Sequence, residues 1–169
     1  MINKINILPI VKDHIETLKD PRGIKILKRD IVGFYIVPVG ISLFLTFNDF
    51  KVVEKYINIG IIAHTIFIPL LVNVVFLIFN ILNKSDGTPA SKKTLKILNH
   101  LYSNIVYTIL ASVISLISLA IYSATSLNCY VKYANMFLLY FMLIHIFLTL
   151  LMIFKRIHLL LGKEIKEIH

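Results

Sequence analysis

Hydrophobic residues in this chain gather into four long blocks that no Asp, Glu, Lys or Arg interrupts. Read between their flanking charges, the blocks run Ile31–Asn48 (18 residues), Tyr56–Asn83 (28), Ile97–Val131 (35) and Tyr133–Phe154 (22). A bilayer core about 30 Å thick needs roughly 20 apolar residues per helix, so each block holds one span. The spans are expected at about 31–47, 59–82, 104–124 and 134–154. Ahead of them, Leu8, Val11, Ile15 and Leu18 recur at helical spacing while Lys12, Asp13, Glu16 and Lys19 fall elsewhere. That pattern predicts an amphipathic helix over 8–20, ended by the turn Asp20-Pro21-Arg22-Gly23. The expected fold is all-α: one integral membrane domain of four helices over residues 1–169, with an N-terminal amphipathic cytoplasmic helix and a helical tail over 155–169 along the inner surface.

Charge sets the orientation. The net charge is +9, and fifteen of the eighteen Lys and Arg lie before the first span, between spans two and three, or after span four. Only Lys51, Lys55 and Lys132 occupy the other two loops. Short-loop Lys/Arg bias places both termini and the middle loop in the cytoplasm, for a multi-pass protein of the plasma (inner) membrane. The first thirty residues are charged throughout, unlike a cleavable signal peptide. The basic surface of Lys25, Lys28, Arg29, Lys92, Lys93 and Lys96 is explained by orientation and by anionic lipid headgroups, and direct nucleic-acid binding is not expected. One cysteine, Cys129, leaves no intrachain disulfide and excludes a thiol relay.

Within the spans, Pro38 removes the hydrogen bond to the Phe34 carbonyl, and Pro69 does the same one span later. The two prolines lie at similar depth, where paired bends can open a cavity between neighbouring helices. Asp30 is expected to cap the first span. Span three carries Thr108, Ala111, Ser115, Ser118 and Tyr122 on one face, widened by Ser112, and this small, hydroxylated face is a candidate self-association surface. Aromatic rings at Phe47, Phe50, Tyr56, Tyr130 and Tyr133 mark the outer boundary, with Tyr102 and Tyr107 at the inner one.

Polar groups inside a membrane are costly unless satisfied, which singles out His64, Asn73, Asn80 and His145 as candidate interhelical contacts or a polar path. Asn73 and Asn80, seven residues apart, share a face of span two. Haem ligation by the two histidines would need matching depth, and their expected offset is near 8 Å at about 1.5 Å per residue. His145 is instead paired in expectation with Thr149 on its own face. With no intramembrane carboxylate, no phosphate loop and no zinc spacing, neither catalytic residues nor a metal or cofactor is expected. A proton-coupled four-span exporter needs a membrane glutamate, and this chain has none.

The run Thr17-Leu18-Lys19-Asp20 with Gly23 and Asp30, then Phe34 and Pro38, then Thr65-Ile66-Phe67 leading to Asn73 and Asn80, resembles small four-span membrane proteins of bacterial anti-phage defence loci. The likeness covers the first half of the chain. It implies a non-enzymatic, homo-oligomeric effector that alters membrane permeability when a cytosolic protein partner triggers it. Two other functions suit four short-looped spans: an immunity protein against a pore-forming bacteriocin, and a scaffold anchoring a cytosolic enzyme through the Leu8, Val11, Ile15 and Leu18 stripe.

Overall fold

The computed structural model describes residues 6–19, 28–48, 54–83, 92–124 and 128–168. They form five helices: α1 (Leu8–Glu16), α2 (Lys28–Phe47), α3 (Glu54–Asn83), α4 (Lys92–Ala124) and α5 (Cys129–Ile168). Four of them are long and apolar enough to cross a membrane, and the chain is a multi-pass membrane protein. The expected spans fall within α2 to α5. The turn at Asp20–Gly23, the loop at 84–91 and Lys25 lie outside the described residues, as do the side chains of Lys92 and Lys93.

α1 starts where Pro9 supplies a preset φ and the Asn6 Oδ1 accepts the Leu8 N–H at 3.0 Å. It ends earlier than expected, closing through Thr17 and Leu18 in a tight turn whose N–H groups reach back to His14 and Ile15 carbonyls. Asp30 is a helical residue of α2 and not its cap. α4 joins the basic lead-in to span three without a break. α5 is one helix of 40 residues. The tail expected to turn off along the inner surface instead continues the helix of span four to Ile168.

Four spans usually close into a bundle; these do not. α2 packs on α5, α5 on α4, and α4 on α3, while α1 lies against α4. The α3 backbone makes no close approach to α2 or α5 among the described residues, but its side chains share core clusters with Leu139 and Ile153 of α5. Pro38 and Pro69 are therefore not neighbours: Pro38 is buried and Pro69 is exposed. Among the described residues the two bent helices do not touch, so the paired bends do not face one another.

α4 is the hub because its small residues let helices approach on several sides. Thr108, Ala111, Ser112, Ser115 and Ser118 are all buried within the chain itself. The Ser118 hydroxyl donates to Asn135 Oδ1, and Asn135 Nδ2 returns a bond to the Ser118 carbonyl at 3.0 Å. The face proposed from sequence for self-association is thus used up inside one chain, with Tyr122 half-buried at its end. Apolar packing completes the hub: Leu71, Ile78, Leu98, Leu101, Ile105 and Ile153 form one core cluster, and Ile57, Leu119 and Leu139 another. Gly60 lets α3 close on α4, since a Cβ there would stand 3.2 Å from a Leu119 methyl.

Candidate functional site

The most concentrated chemistry lies where α1 meets the spans. His14 and Asn104 are fully buried, and Thr17 nearly so. His14 Nδ1 lies 3.0 Å from Asn104 Oδ1, and because that oxygen only accepts, Nδ1 carries the proton. The Thr17 hydroxyl is 2.8 Å from the same oxygen and 2.7 Å from the His14 carbonyl. The His14 ring stacks on Tyr107, with centroids 3.8 Å apart and planes 4° from parallel.

Tyr107 passes the connection on. Its hydroxyl is 2.9 Å from His145 Nε2, and His145 Nδ1 is 2.9 Å from the Phe34 carbonyl. A carbonyl cannot donate, so Nδ1–H is the donor and Nε2 must accept the Tyr107 proton. The Phe34 carbonyl is free to accept for a reason visible in the chain: Pro38 has no N–H to offer it. Residues Val32–Ile36 form a π turn there, with the Val37 N–H reaching back to the Val32 carbonyl. The bend anticipated at Pro38 thus doubles as a docking point for span four.

Arg156 closes the other side. Its guanidinium donates to the His100 carbonyl at 2.7 Å and to the Thr17 carbonyl at 3.1 Å. The second contact puts a cation on the C-terminal end of α1, where the helix dipole favours one. Burial pushes the His14 imidazole down to about 4; the Asn104 hydrogen bond opposes that, and the nearby His145 and Arg156 reinforce it. His14 is accordingly neutral at pH 7. His14 Nε2, Asn104 Nδ2 and Tyr35 OH have no protein partner among the described residues. Together these groups form a polar latch joining α1, α2, α4 and α5.

The latch gathers some of the residues expected from sequence and leaves others. His145 belongs to it, but its imidazole crosses to Tyr107 and Phe34, while Thr149 bonds only the His145 backbone carbonyl at 2.8 Å. His64 stays on its own helix, 2.7 Å from the Gly60 carbonyl, so the two histidines do not converge. A small cavity of about 180 Å³ lies beside His64, Thr108 and Ser112. Asn73 and Asn80 are exposed on α3. Lys28, Arg29 and Lys96 are exposed as well. On α1, Leu18 is buried and Val11 and Ile15 are half-buried, whereas Leu8 is 70% exposed. The docked face is rotated by roughly 70° from the aliphatic stripe toward His14 and Thr17, at 100° per residue.

Sequence reasoning missed His14, Asn104, Tyr107, Asn135 and Arg156. Asn104 stood at an expected span boundary and Tyr107 was assigned to the aromatic belt; both are interior. Comparison of the chain with protein-family models, curated proteins and solved structures finds no match. Function therefore has to be argued from the latch and the helix row.

Proposed function

We propose that the chain is an oligomeric membrane effector of a bacterial anti-phage defence system, lying in the inner membrane with both termini cytoplasmic, and that it alters permeability when a cytosolic partner displaces α1. The observation that carries this is the latch. A helix that served only as ballast would be held by aliphatic packing. α1 is held by directional bonds from His14, Thr17 and the Arg156 guanidinium, and its His14 ring stacks on Tyr107, whose own bond to His145, with that of His145 to the Phe34 carbonyl, ties α2, α4 and α5 together. Pulling α1 away would unstack Tyr107 and take one acceptor from Arg156, two side chains that also tie spans together, and this supports coupling between α1 and the arrangement of the spans. The resemblance described above supplies the biological setting. The scaffold alternative is weakened, because much of the stripe it would use is docked on its own spans.

The test is membrane potential in cells expressing the chain with its neighbouring gene, before and after phage challenge. Depolarisation on challenge is expected, and a variant with the latch opened, Asn104→Leu, should depolarise cells without challenge. Unchanged potential in both conditions refutes the effector function. Survival of a bacteriocin with potential preserved would point to the immunity alternative instead.

A further inference from the structure

α3 is packed on one line and exposed on the opposite one. Ile57, His64, Leu71 and Ile78, each seven residues from the last, are buried on the packed side. Diametrically across, Ile59, Ile62, Ile66, Asn73, Phe76 and Asn80 are all exposed. With the exposed Pro69 among them, their spacing is an unbroken 3-4-3-4-3-4. That is the seam of a left-handed helix pair, sustained along the whole span, with Asn at two successive a positions. We infer that this seam is a homodimer interface, in which α3 pairs with α3 of a second copy about an axis along the membrane normal.

Two observations select a second copy as the occupant. Neither the Asn73 nor the Asn80 amide has a hydrogen bond among the described residues; Asn80 closes the span, but Asn73 lies well inside it, where lipid chains offer an amide nothing to bond. Copies inserted by the same charge rule share one orientation, so Asn73 meets Asn73 and Asn80 meets Asn80 at equal depth. An amide carries both donor and acceptor and is complementary to itself. A different partner would need matching polar groups at two levels about 10.5 Å apart, seven residues at roughly 1.5 Å each. At one end the seam adjoins a groove of about 830 Å³ that Phe76 and Asn80 share with Leu95 and Tyr102, leaving space for a ring from the opposite helix.

The inference deepens the oligomeric part of the proposed function and rests on it only there. Its test uses full-length protein in native membrane vesicles with Cys129 replaced by Ser. Single cysteines at the seam, Ile62→Cys, Ile66→Cys and Phe76→Cys, should form disulfide-linked dimers on mild oxidation. Exposed positions off the seam, Phe67→Cys on α3 and Phe147→Cys on α5, should cross-link at least several-fold less. Replacing both asparagines, Asn73→Leu with Asn80→Leu, should weaken self-association roughly 3- to 20-fold per pair, the range of membrane interhelical polar contacts. Equal cross-linking at all positions, none at the seam, or adducts of another mass overturns the interface. Depolarisation without seam cross-links rejects the interface and leaves the effector function standing; seam cross-links without depolarisation do the reverse.

Discussion

Acidification should release α1, and the size of the effect follows from His14. The free imidazole titrates near 6.5 and the docked one near 4, so the undocked state binds more protons in that window. Docking is therefore at full strength above about pH 6.5 and weakens as pH falls toward 4, by about 1.4 kcal/mol per unit. The loss is about 1.4 kcal/mol at pH 5.5 and about 3 kcal/mol in all, between two and three powers of ten in the docking constant. Physically, a proton on Nε2 puts a cation into a buried site that already holds Arg156, with His145 accepting from Tyr107 and offering its own N–H only to Phe34. On α1 itself, Lys12, Asp13 and Glu16 are exposed and compensate weakly. The assay is a spin-pair distance in nanodiscs between the native Cys129, at the far end of α5, and Lys12→Cys on the exposed side of α1. One narrow distance distribution is expected at pH 7.5 and a broad one at pH 4.5, reversible on neutralisation. His14→Gln, which keeps an amide donor but does not titrate, should show no pH response. A distribution unchanged at pH 4.5, or an equal response in His14→Gln, refutes the assignment of His14 as the titrating element of the latch.

Asn104→Leu removes the acceptor of His14 Nδ1–H, while Thr17 keeps the His14 carbonyl, and should weaken α1 docking by about 1–3 kcal/mol for the one stranded donor, read as faster amide exchange across Leu8–Glu16. His145→Phe and Pro38→Ala should be coupled by about 0.6–1.7 kcal/mol in a double-mutant cycle on unfolding in detergent, because a restored helix N–H competes with His145 for the Phe34 carbonyl. Gly60→Leu should cost about 1–3 kcal/mol by forcing α3 away from Leu119, with Gly60→Ala far milder. Asn135→Ala should lower stability by about 0.6–1.7 kcal/mol, since it leaves Ser118 without its clasp.

What could be read from the chain was whatever depends on composition along one dimension. The spans follow from charge-free length, and the close approach of helices to span three follows from Thr108, Ala111, Ser115 and Ser118. The lack of a bond from Pro38 to the Phe34 carbonyl follows from proline chemistry alone. What could not be read was azimuth and partner. The stripe rule counts aliphatic residues, so it passed over His14 and Thr17, whose buried bonds outweigh the burial of Leu8. It also assigned Asn104 and Tyr107 to a headgroup boundary, because a linear map cannot know that α1 folds back and covers that part of span three. The small face of α4 was rightly expected to touch another helix, but nothing in its spacing distinguishes span four of the same chain from a neighbouring molecule.

The distribution of polar groups carries the argument one step further. Along α4 and α5, the buried Asn104, Thr108, Ser118, Asn135, His145 and Thr149 bond within the chain, mostly across helices or to the preceding turn. In this half most of the buried polar atoms are paired, Asn104 Nδ2 and Ser115 Oγ being the exceptions on these two helices among the described residues. α3 differs: on its packed line His64 bonds Gly60 through one ring nitrogen, while its outer line presents two amides with no counterpart among the described residues. A membrane offers no water to make up that difference. An open row of helices, ending in a span whose polar residues face away from the row, has the composition of one part of a larger symmetric body. On that view the latch and the seam divide the work. One sets how α1, α2, α4 and α5 are held together, and the other sets how copies meet, so that a change at α1 reaches the seam through the α4 and α5 side chains on which α3 rests.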